Sequence, residues 1–241
     1  KILKELNVDI IHNHIGWRFL PFTKHCNART ITTLHGPLDP EYQKFVYGSF
    51  KNHSYVSISN DQRKPFPKLN YIATVYNGID INLFNFKPDP GSYLAFLGRI
   101  SPEKGPVQAI KIAKKFGMKL KIAAKIDAID IDYFKKEVKP LIDGKKIEFI
   151  GEIGPKDKNE FLKNAYALLA PIQWREPFGL FMIEAMATGT PVIATNMGAA
   201  PEIIINNETG FLVQNNINSF VNALKKIKNI NREKCYNRIK Q

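Results

Sequence analysis

Short apolar runs recur along the chain, and their spacing changes near Asn77. Before that point VDIIHNH, TITTLHG, YVSIS and IATVYNG, rich in Ile, Val, Thr and Tyr, predict strands. Beyond it the rhythm is regular. YLAFLG, LKIAAK, IEFIGE, YALLAP, PVIAT and GFLV predict six more strands, separated by helix-like segments such as PVQAIKIAKKFG and KNEFLKNA. Strands that alternate with helices predict a parallel sheet covered on both faces, a doubly wound α/β domain. The proline-marked stretch NLFNFKPDPGSY, residues 82–93, reads as a linker, so two such domains are expected, over 1–80 and 81–241. The opening KILKEL resembles the end of a helix feeding the first strand, which predicts an incomplete first domain lacking one or more upstream βα units. The chain stops inside a charged helical pattern, so a fragment of a longer protein is expected.

One segment breaks the apolar pattern. Leu180–Ala187 reads LFMIEAMA, a helix with no evident polar face and a single carboxylate, Glu184, in its middle. An ionised carboxylate among Met182, Ile183, Ala185 and Met186 is strongly disfavoured unless hydrogen-bond donors meet it. A vicinal diol, such as a nucleotide's ribose, supplies two donors; a core Lys or Arg is the alternative. The segment before the helix, IQWREPFG, leaves the predicted strand YALLAP. Pro177 favours a turn, Gly179 lets the backbone approach a ligand closely, and the amides of Phe178, Gly179 and Leu180 are donors at a helix start. That is an anion site. Glu176, just before the helix, is placed to face the other end of such a ligand.

Composition narrows the choice of ligand. With 241 residues and 44% hydrophobic content the chain can bury a sizeable core. Cys26 and Cys235 match neither a disulfide framework nor a metal-ligand spacing, which fits a reducing compartment. No apolar run reaches the roughly 20 residues of a spanning helix. The net charge is +13, and from Ser219 onward seven Lys or Arg stand against Glu233 alone. A solvated helix face is one reading of that tail; attraction to anionic lipid headgroups is the other. Nucleic-acid binding is disfavoured, because no aromatic-interleaved basic patch or helix-turn-helix pattern is present.

Two further loops fall on the same rim. LGRISPEKG, residues 97–105, carries Arg99 and Lys104 around a turn at a strand end, two cations suited to a diphosphate. NMGAAPEII, residues 196–204, places Gly198 and Ala199 before a helix that Pro201 is expected to start. His12 and His14 share one strand face, but no third metal ligand is evident, and no metal site is expected.

EPFGLFMIEAMATGTPVIAT resembles the E-x7-E region of family 4 glycosyltransferases of the GT-B fold, with Glu176 and Glu184 as its acids. FLGRISPEKG, VYNGID, TLHG and TGFLV are similar to that family's landmarks, in its order, so the likeness runs from VDIIHNH to GFLV. It implies two Rossmann-like domains, a first on the acceptor side and a second binding the donor. It also implies a retaining, metal-independent hexosyl transfer from a nucleotide sugar, with no cofactor. Arg99 and Lys104 would hold the donor diphosphate and stabilise the leaving group, and Glu184 would bind the ribose. Glu176, with the backbone of Phe178 and Gly179, would contact the donor sugar, as would His35 of TLHG. Leu180, Gly198 and Ala199 would complete the donor pocket. The family precedent is front-face attack through an ion-pair-like transition state, so positioning and charge neutralisation carry the catalysis. Gly198-Ala199 departs from the two glycines usual there, and the family's early glycine-rich loop has no counterpart in this chain.

HNHIGWRFLPF, SISNDQRKP and FLGRISPEKGPVQAI are similar to a subgroup with tetrahydropterin glucosyltransferase-like sequences, which favours UDP-glucose, with GDP-mannose as the alternative donor. The acceptor is expected to be a pterin, a saccharide or a membrane lipid. A cytoplasmic location, peripheral to the inner face of the membrane if the tail binds lipid, follows from these expectations. Two other classes remain on this scaffold: a sugar-nucleotide 2-epimerase, and a non-catalytic nucleotide-sugar-binding subunit.

Overall fold

The computed structural model describes residues 8–241, so the opening KILKEL, read above as a helix end, lies outside the described residues. The chain divides into two units, residues 1–77 with 175–178, and residues 78–174 with 179–241.

Among the described residues the first unit holds four strands, β1 Ile10–Asn13, β2 Arg29–Thr33, β3 Ser54–Ser57 and β4 Tyr71–Thr74, in a parallel sheet of sequential order. These are shorter than the apolar runs suggested: β1 stops before His14 and β2 before Leu34, so His14 and His35 stand just past strand ends. The crossover from β1 to β2 is a 3-10 helix, Gly16–His25, and that from β2 to β3 carries the α-helix Glu41–Gly48. Leu20, Leu34, Leu38, Tyr47, Tyr55 and Leu69 form the core.

The second unit is a six-stranded parallel sheet. Its strands are β5 Tyr93–Arg99, β6 Leu120–Lys125, β7 Ile147–Gly151, β8 Ala165–Ala170, β9 Val192–Thr195 and β10 Gly210–Val213, in the order β10-β9-β8-β5-β6-β7. The chain starts at the centre with β5, winds out to one edge through β6 and β7, returns to β8 and winds to the other edge. The order therefore reverses between β5 and β8, and in open α/β sheets ligands bind outside the carboxyl ends at this switch point. β9 and most of β5 and β8 are buried, which is why they read as continuous apolar runs rather than alternating ones.

The helices follow from their ends and their apolar spacing. Pro106–Phe116 begins with proline in its first turn, stops at Gly117 in the left-handed region (φ 83°), and buries Ala109, Ile110, Ile112 and Ala113. The helix read from KNEFLKNA spans Pro155–Lys163; Ala165 already belongs to β8.

Two sequence readings of this unit need correction. The residues expected to form a linker are fastened to the second unit: Asn85 N donates to Asn159 Oδ1 at 2.8 Å, Lys87 Nζ donates to Asn164 Oδ1 at 2.8 Å, and the Phe86 and Tyr236 rings lie 5.1 Å apart. The basic tail is not uniformly solvated either. Arg232, at the start of the helix Arg232–Ile239, is buried at 6% exposure and donates to the carbonyls of Lys87, Ala165 and Lys163 and to Thr190 Oγ1. Arg238 donates to the Glu202 carbonyl at 3.0 Å. A charge count does not distinguish a solvated arginine from one that closes a set of orphan carbonyls. Among the described residues no helix is long and apolar enough to cross a membrane.

Candidate active site

At the switch point, the loops after β5 and β8 meet. Gly105 has φ 73°, and a Cβ there would lie 2.2 Å from the Pro171 carbonyl oxygen, so only glycine permits this approach. Gln173 N donates to the Glu103 carbonyl at 2.7 Å, which closes the contact. Between them, Pro102–Lys104 forms one 3-10 turn, and Ile100, fully buried, anchors its base.

That turn aims Lys104 at aromatic rings. Its Nζ lies 5.3 Å from the ring centroid of Trp174 and 5.3 Å from that of Phe181, a double cation–π contact. The loop after β5, the loop after β8 and the helix Leu180–Ala187 thus converge on one ammonium. Arg99, at the end of β5, is engaged by acids: Nη2 donates to Glu103 Oε1 at 3.1 Å and Nη1 to Asp127 Oδ2 at 3.4 Å. Asp127 also pairs with Lys125 at 2.9 Å, and a hydrogen bond from Lys125 leads the causes that hold the Asp127 carboxyl below its ordinary pKa. A diphosphate approaching Arg99 must therefore compete with two carboxylates. The sequence reading did not foresee this, because Glu103 and Asp127 carry no mark in the sequence that sets them apart from other exposed acids.

Glu184 corrects a premise. The helix Leu180–Ala187 forms as expected, with Gly179 at its N-cap in the left-handed region (φ 99°). It is not buried all round: Leu180, Phe181 and Glu184, one turn apart, form a less buried stripe, while Met182, Ile183, Ala185 and Met186 face the core. The acid is also paired. Lys158 Nζ donates to Glu184 Oε1 at 2.7 Å, with the two side chains 27% and 13% exposed. The physical reason is the winding of the sheet: the helices before and after β8, Pro155–Lys163 and Leu180–Ala187, pack against each other, and a lysine 26 residues upstream arrives beside the acid. The partner is a partly exposed lysine rather than a core one, yet the carboxylate is met, so an unmet carboxylate no longer argues for a diol.

Gly198 (φ 61°) and Ala199, fully buried, follow β9 and lead into the short helix Ala200–Ile203, with Pro201 in its first turn. Arg99, Lys104, Leu180, Glu184, Gly198 and Ala199 all lie in the second unit, at or after the carboxyl ends of β5, β8 and β9.

His35, Glu176 and Phe178 belong to the first unit. Glu176 is buried at 7% exposure. Its neighbours are tied down: Arg175 pairs with Asp61, the Pro177 carbonyl accepts from Ser59 Oγ at 2.7 Å, and the Phe178 ring lies 6.0 Å from that of Tyr76. His35 is exposed, and its Nε2 shares a hydrogen bond with His14 Nδ1 at 2.9 Å. Partial burial, and then the imidazoles of His14 and His12, lower the His35 pKa below the ordinary histidine value. No group of three His, Cys, Asp or Glu side chains is placed to hold a metal ion among the described residues.

Two parallel α/β units of this kind define the GT-B class of glycosyltransferase structures. Sucrose-phosphate synthase from Thermosynechococcus elongatus superposes with a TM-score of 0.84 at 21% identity, over 99% of this chain and 70% of that one. Anabaena HepE in complex with UDP superposes with a TM-score of 0.82 at 19% identity, over 99% and 75%. The family model described as glycosyl transferases group 1 matches residues 82–241, and the chain belongs to this family. Among curated relatives, glycogen synthase of Mycobacterium tuberculosis is 31% identical over 84% of this chain and 55% of its own length. A glycosyltransferase of Methanocaldococcus jannaschii is 32% identical over 59% and 40%. The chain thus spans about half the length of the curated relatives it matches.

Proposed function

We propose that this chain handles the donor in a retaining glycosyltransferase of family 4, which moves a hexose from a nucleotide sugar to a hydroxyl-bearing acceptor without a metal or other cofactor. One observation carries the reading: at the sheet's switch point, Lys104 is held over Trp174 and Phe181 beside the start of the helix Leu180–Ala187. A fixed cation next to helix-terminal amides is a cradle for a diphosphate, and such groups stabilise the charge that develops on a departing nucleoside diphosphate.

In this reading Lys104 and Arg99 take the diphosphate, Arg99 exchanging its carboxylate partners for phosphate oxygens. Glu176 and Glu184 are the two acids of the E-x7-E motif. Glu184, oriented by Lys158, uses its remaining oxygen for ribose hydroxyls, and Leu180, Gly198 and Ala199 line the pocket. Glu176, Phe178, Gly179 and His35 contact the hexose. The C1–phosphate bond breaks as the acceptor oxygen bonds to C1 on the same face, and the acceptor proton passes to the departing phosphate.

UDP-glucose is the favoured donor, with GDP-mannose next. Solved structures of HepE contain UDP and glucose, and glycogen synthases are among the relatives; a phosphatidyl-myo-inositol mannosyltransferase of Mycobacterium tuberculosis, 27% identical over 79% of this chain, supports the alternative. The acceptor is a pterin, as the resemblance to the tetrahydropterin subgroup suggests, a saccharide or a lipid. A cytoplasmic enzyme touching an anionic membrane through its exposed tail lysines is the arrangement that a lipid acceptor requires.

The test is release of nucleoside diphosphate by the full protein from UDP-glucose, UDP-N-acetylglucosamine and GDP-mannose, with pterin, saccharide and lipid acceptors. Acceptor-dependent release with an α-linked product supports the proposal. Isomerised sugar without transfer identifies an epimerase, and binding without turnover a non-catalytic subunit. Lys104→Ala is expected to lower turnover at least tenfold with the fold retained; unchanged rates sink the diphosphate role.

A further inference from the structure

The sequence left His12 and His14 without a role, and the first unit gives them one. β1 and β2 run parallel with His12 opposite Ile31 and Asn13 opposite Thr32. Side chains alternate across a sheet, so His12, His14, Thr33 and His35 fall on one face and Asn13, Thr32 and Leu34 on the other. The second face is closed: Asn13 Nδ2 donates to Thr32 Oγ1 at 2.9 Å and to the Gly16 carbonyl at 2.9 Å, and Thr32 Oγ1 contacts His53 Nε2 at 2.8 Å. The first face is open, with all three histidines exposed.

On that open face the imidazoles form a chain. His12 Nε2 contacts Thr33 Oγ1 at 2.8 Å, its ring lies 4.1 Å from that of His14, and His14 Nδ1 meets His35 Nε2 at 2.9 Å. The His14 and His35 rings are near parallel, 26° apart. The chain thus begins and ends on β2 and its extension, with His14 as its central link.

We propose that His14 is a positioning residue for His35: His14 Nδ1–H donates to His35 Nε2, which holds the His35 ring as its Nδ1–H tautomer and leaves Nδ1–H as the donor presented to a ligand. A hydrogen bond between two ring nitrogens needs one proton between them, so the contact exists in the neutral or singly protonated pair and is lost when both rings are charged. The titratable groups that face His35 are His14 and His12, both from the end of β1. From the β3 side, Gln62 donates its amide to the carbonyls of Leu34 and Gly36 and carries no charge; from the helix Glu41–Gly48, Gln43 lies against Gly36 and is neutral too. Among the described residues, no carboxylate is one of the groups that act on His35 to offset a second proton. The functional consequence rests on the reading of His35 as a sugar-contacting group; the pairing itself rests on geometry alone.

The experiment uses the full protein labelled with 15N-histidine and long-range 1H–15N spectra between pH 5 and 8.5. His35 is expected in a single tautomer at pH 8 and to titrate below the ordinary histidine range. In His14→Leu it becomes a tautomer mixture and titrates closer to a free histidine, while His14→Asn, which places a hydrogen-bonding atom near the lost Nδ1, keeps one tautomer. His53, bonded to Thr32 on the opposite face, reports whether the fold is intact. Should His14→Leu fail to fold, His14→Gln against His14→Asn makes the same comparison. A His35 spectrum unchanged in the intact His14→Leu or His14→Gln protein overturns the proposal. With UDP-glucose as probe, His14→Leu is expected to lower kcat about tenfold with KM within twofold. If the wild type turns over no donor, the reading of the site fails while the spectra still decide the pair.

Discussion

Arg232→Met should destabilise the second unit more than any other single change in the basic tail. The guanidinium makes four donations, at 2.9 Å to the Lys87 carbonyl, 3.2 Å to Ala165, 3.2 Å to Lys163 and 2.8 Å to Thr190 Oγ1. Hydrogen bonds to a charged group contribute roughly 1.5 kcal/mol each at the low end, so about 6 kcal/mol gross. Burial opposes them: it is the main cause that holds the Arg232 pKa down at about 10, a cost on the order of 3 kcal/mol. The net is about 3 kcal/mol, and acceptors left bare by methionine raise the expected loss to about 3–5 kcal/mol. Because the folded pKa lies below the unfolded one, the desolvation cost is constant at neutral pH and eases only above about pH 10, so pH 7 is a clean condition. For a unit of this size each kcal/mol moves Tm by about 2–4 °C, so a fall of about 10 °C is expected. Trp174 fluorescence in a Trp17→Phe background follows the second unit alone. The control is Lys234→Met, an exposed lysine 3.4 Å from Glu208, which should cost under about 0.5 kcal/mol. Equal melting of the two variants would refute the reasoning.

Three further outcomes follow. Gly105→Ala combines a left-handed backbone with a Cβ 2.2 Å from the Pro171 carbonyl and should cost about 3 kcal/mol or more by denaturant melt, whereas Gly117→Ala, equally left-handed but in open space, should cost about 1 kcal/mol; similar losses would show that the loops need not meet so closely. Glu184→Ala should weaken UDP binding about tenfold by calorimetry, at a stability loss of about 1 kcal/mol because Lys158 keeps part of its hydration; unchanged affinity would leave Glu184 a purely structural partner of Lys158. Burial pushes the Cys235 thiol up to about 12, so at pH 8 the native protein should react with Ellman's reagent at Cys26 alone and at both thiols after unfolding; two fast thiols in the folded state would contradict the buried position.

The second unit was legible because its central strands are largely buried and so read as continuous apolar runs. LKIAAK matched β6 over all six residues, and the other five runs fell within one or two residues of β5 and β7–β10. No periodicity argument was needed beyond the alternation of apolar runs with amphipathic helices. The first unit was read less well at its ends, since TITTLHG and VDIIHNH run past the last paired residues, and it is in these overhangs that His14 and His35 stand. Hydropathy marks where a strand can be; it does not mark where pairing stops. The 3-10 helix Gly16–His25 was missed for a related reason: proline sits inside it at Pro21, and a segment that breaks an α-helix reads as loop.

Glu184 is the instructive case. The sequence placed it correctly, on a helix at the carboxyl end of a central strand, and drew from its isolation the expectation of a sugar diol. The isolation was local to the chain. In the folded unit Lys158 reaches it across β8, and a lysine paired 26 residues away leaves no trace in a window of helical length. What survives is position rather than desolvation: the acid lies on the same less buried stripe as Phe181, whose ring holds Lys104, at a switch point where α/β sheets take their ligands. The pair has a consequence that an unmet carboxylate would not have. Lys158 engages one oxygen at 2.7 Å, which biases the orientation of the second before any ligand arrives. Lys158→Met should therefore lower nucleotide affinity nearly as much as Glu184→Ala does, through the acid it orients. Calorimetry with UDP on both variants decides it: a large loss for Glu184→Ala alone would mean that the lysine only balances charge, and that the acid finds its geometry without help.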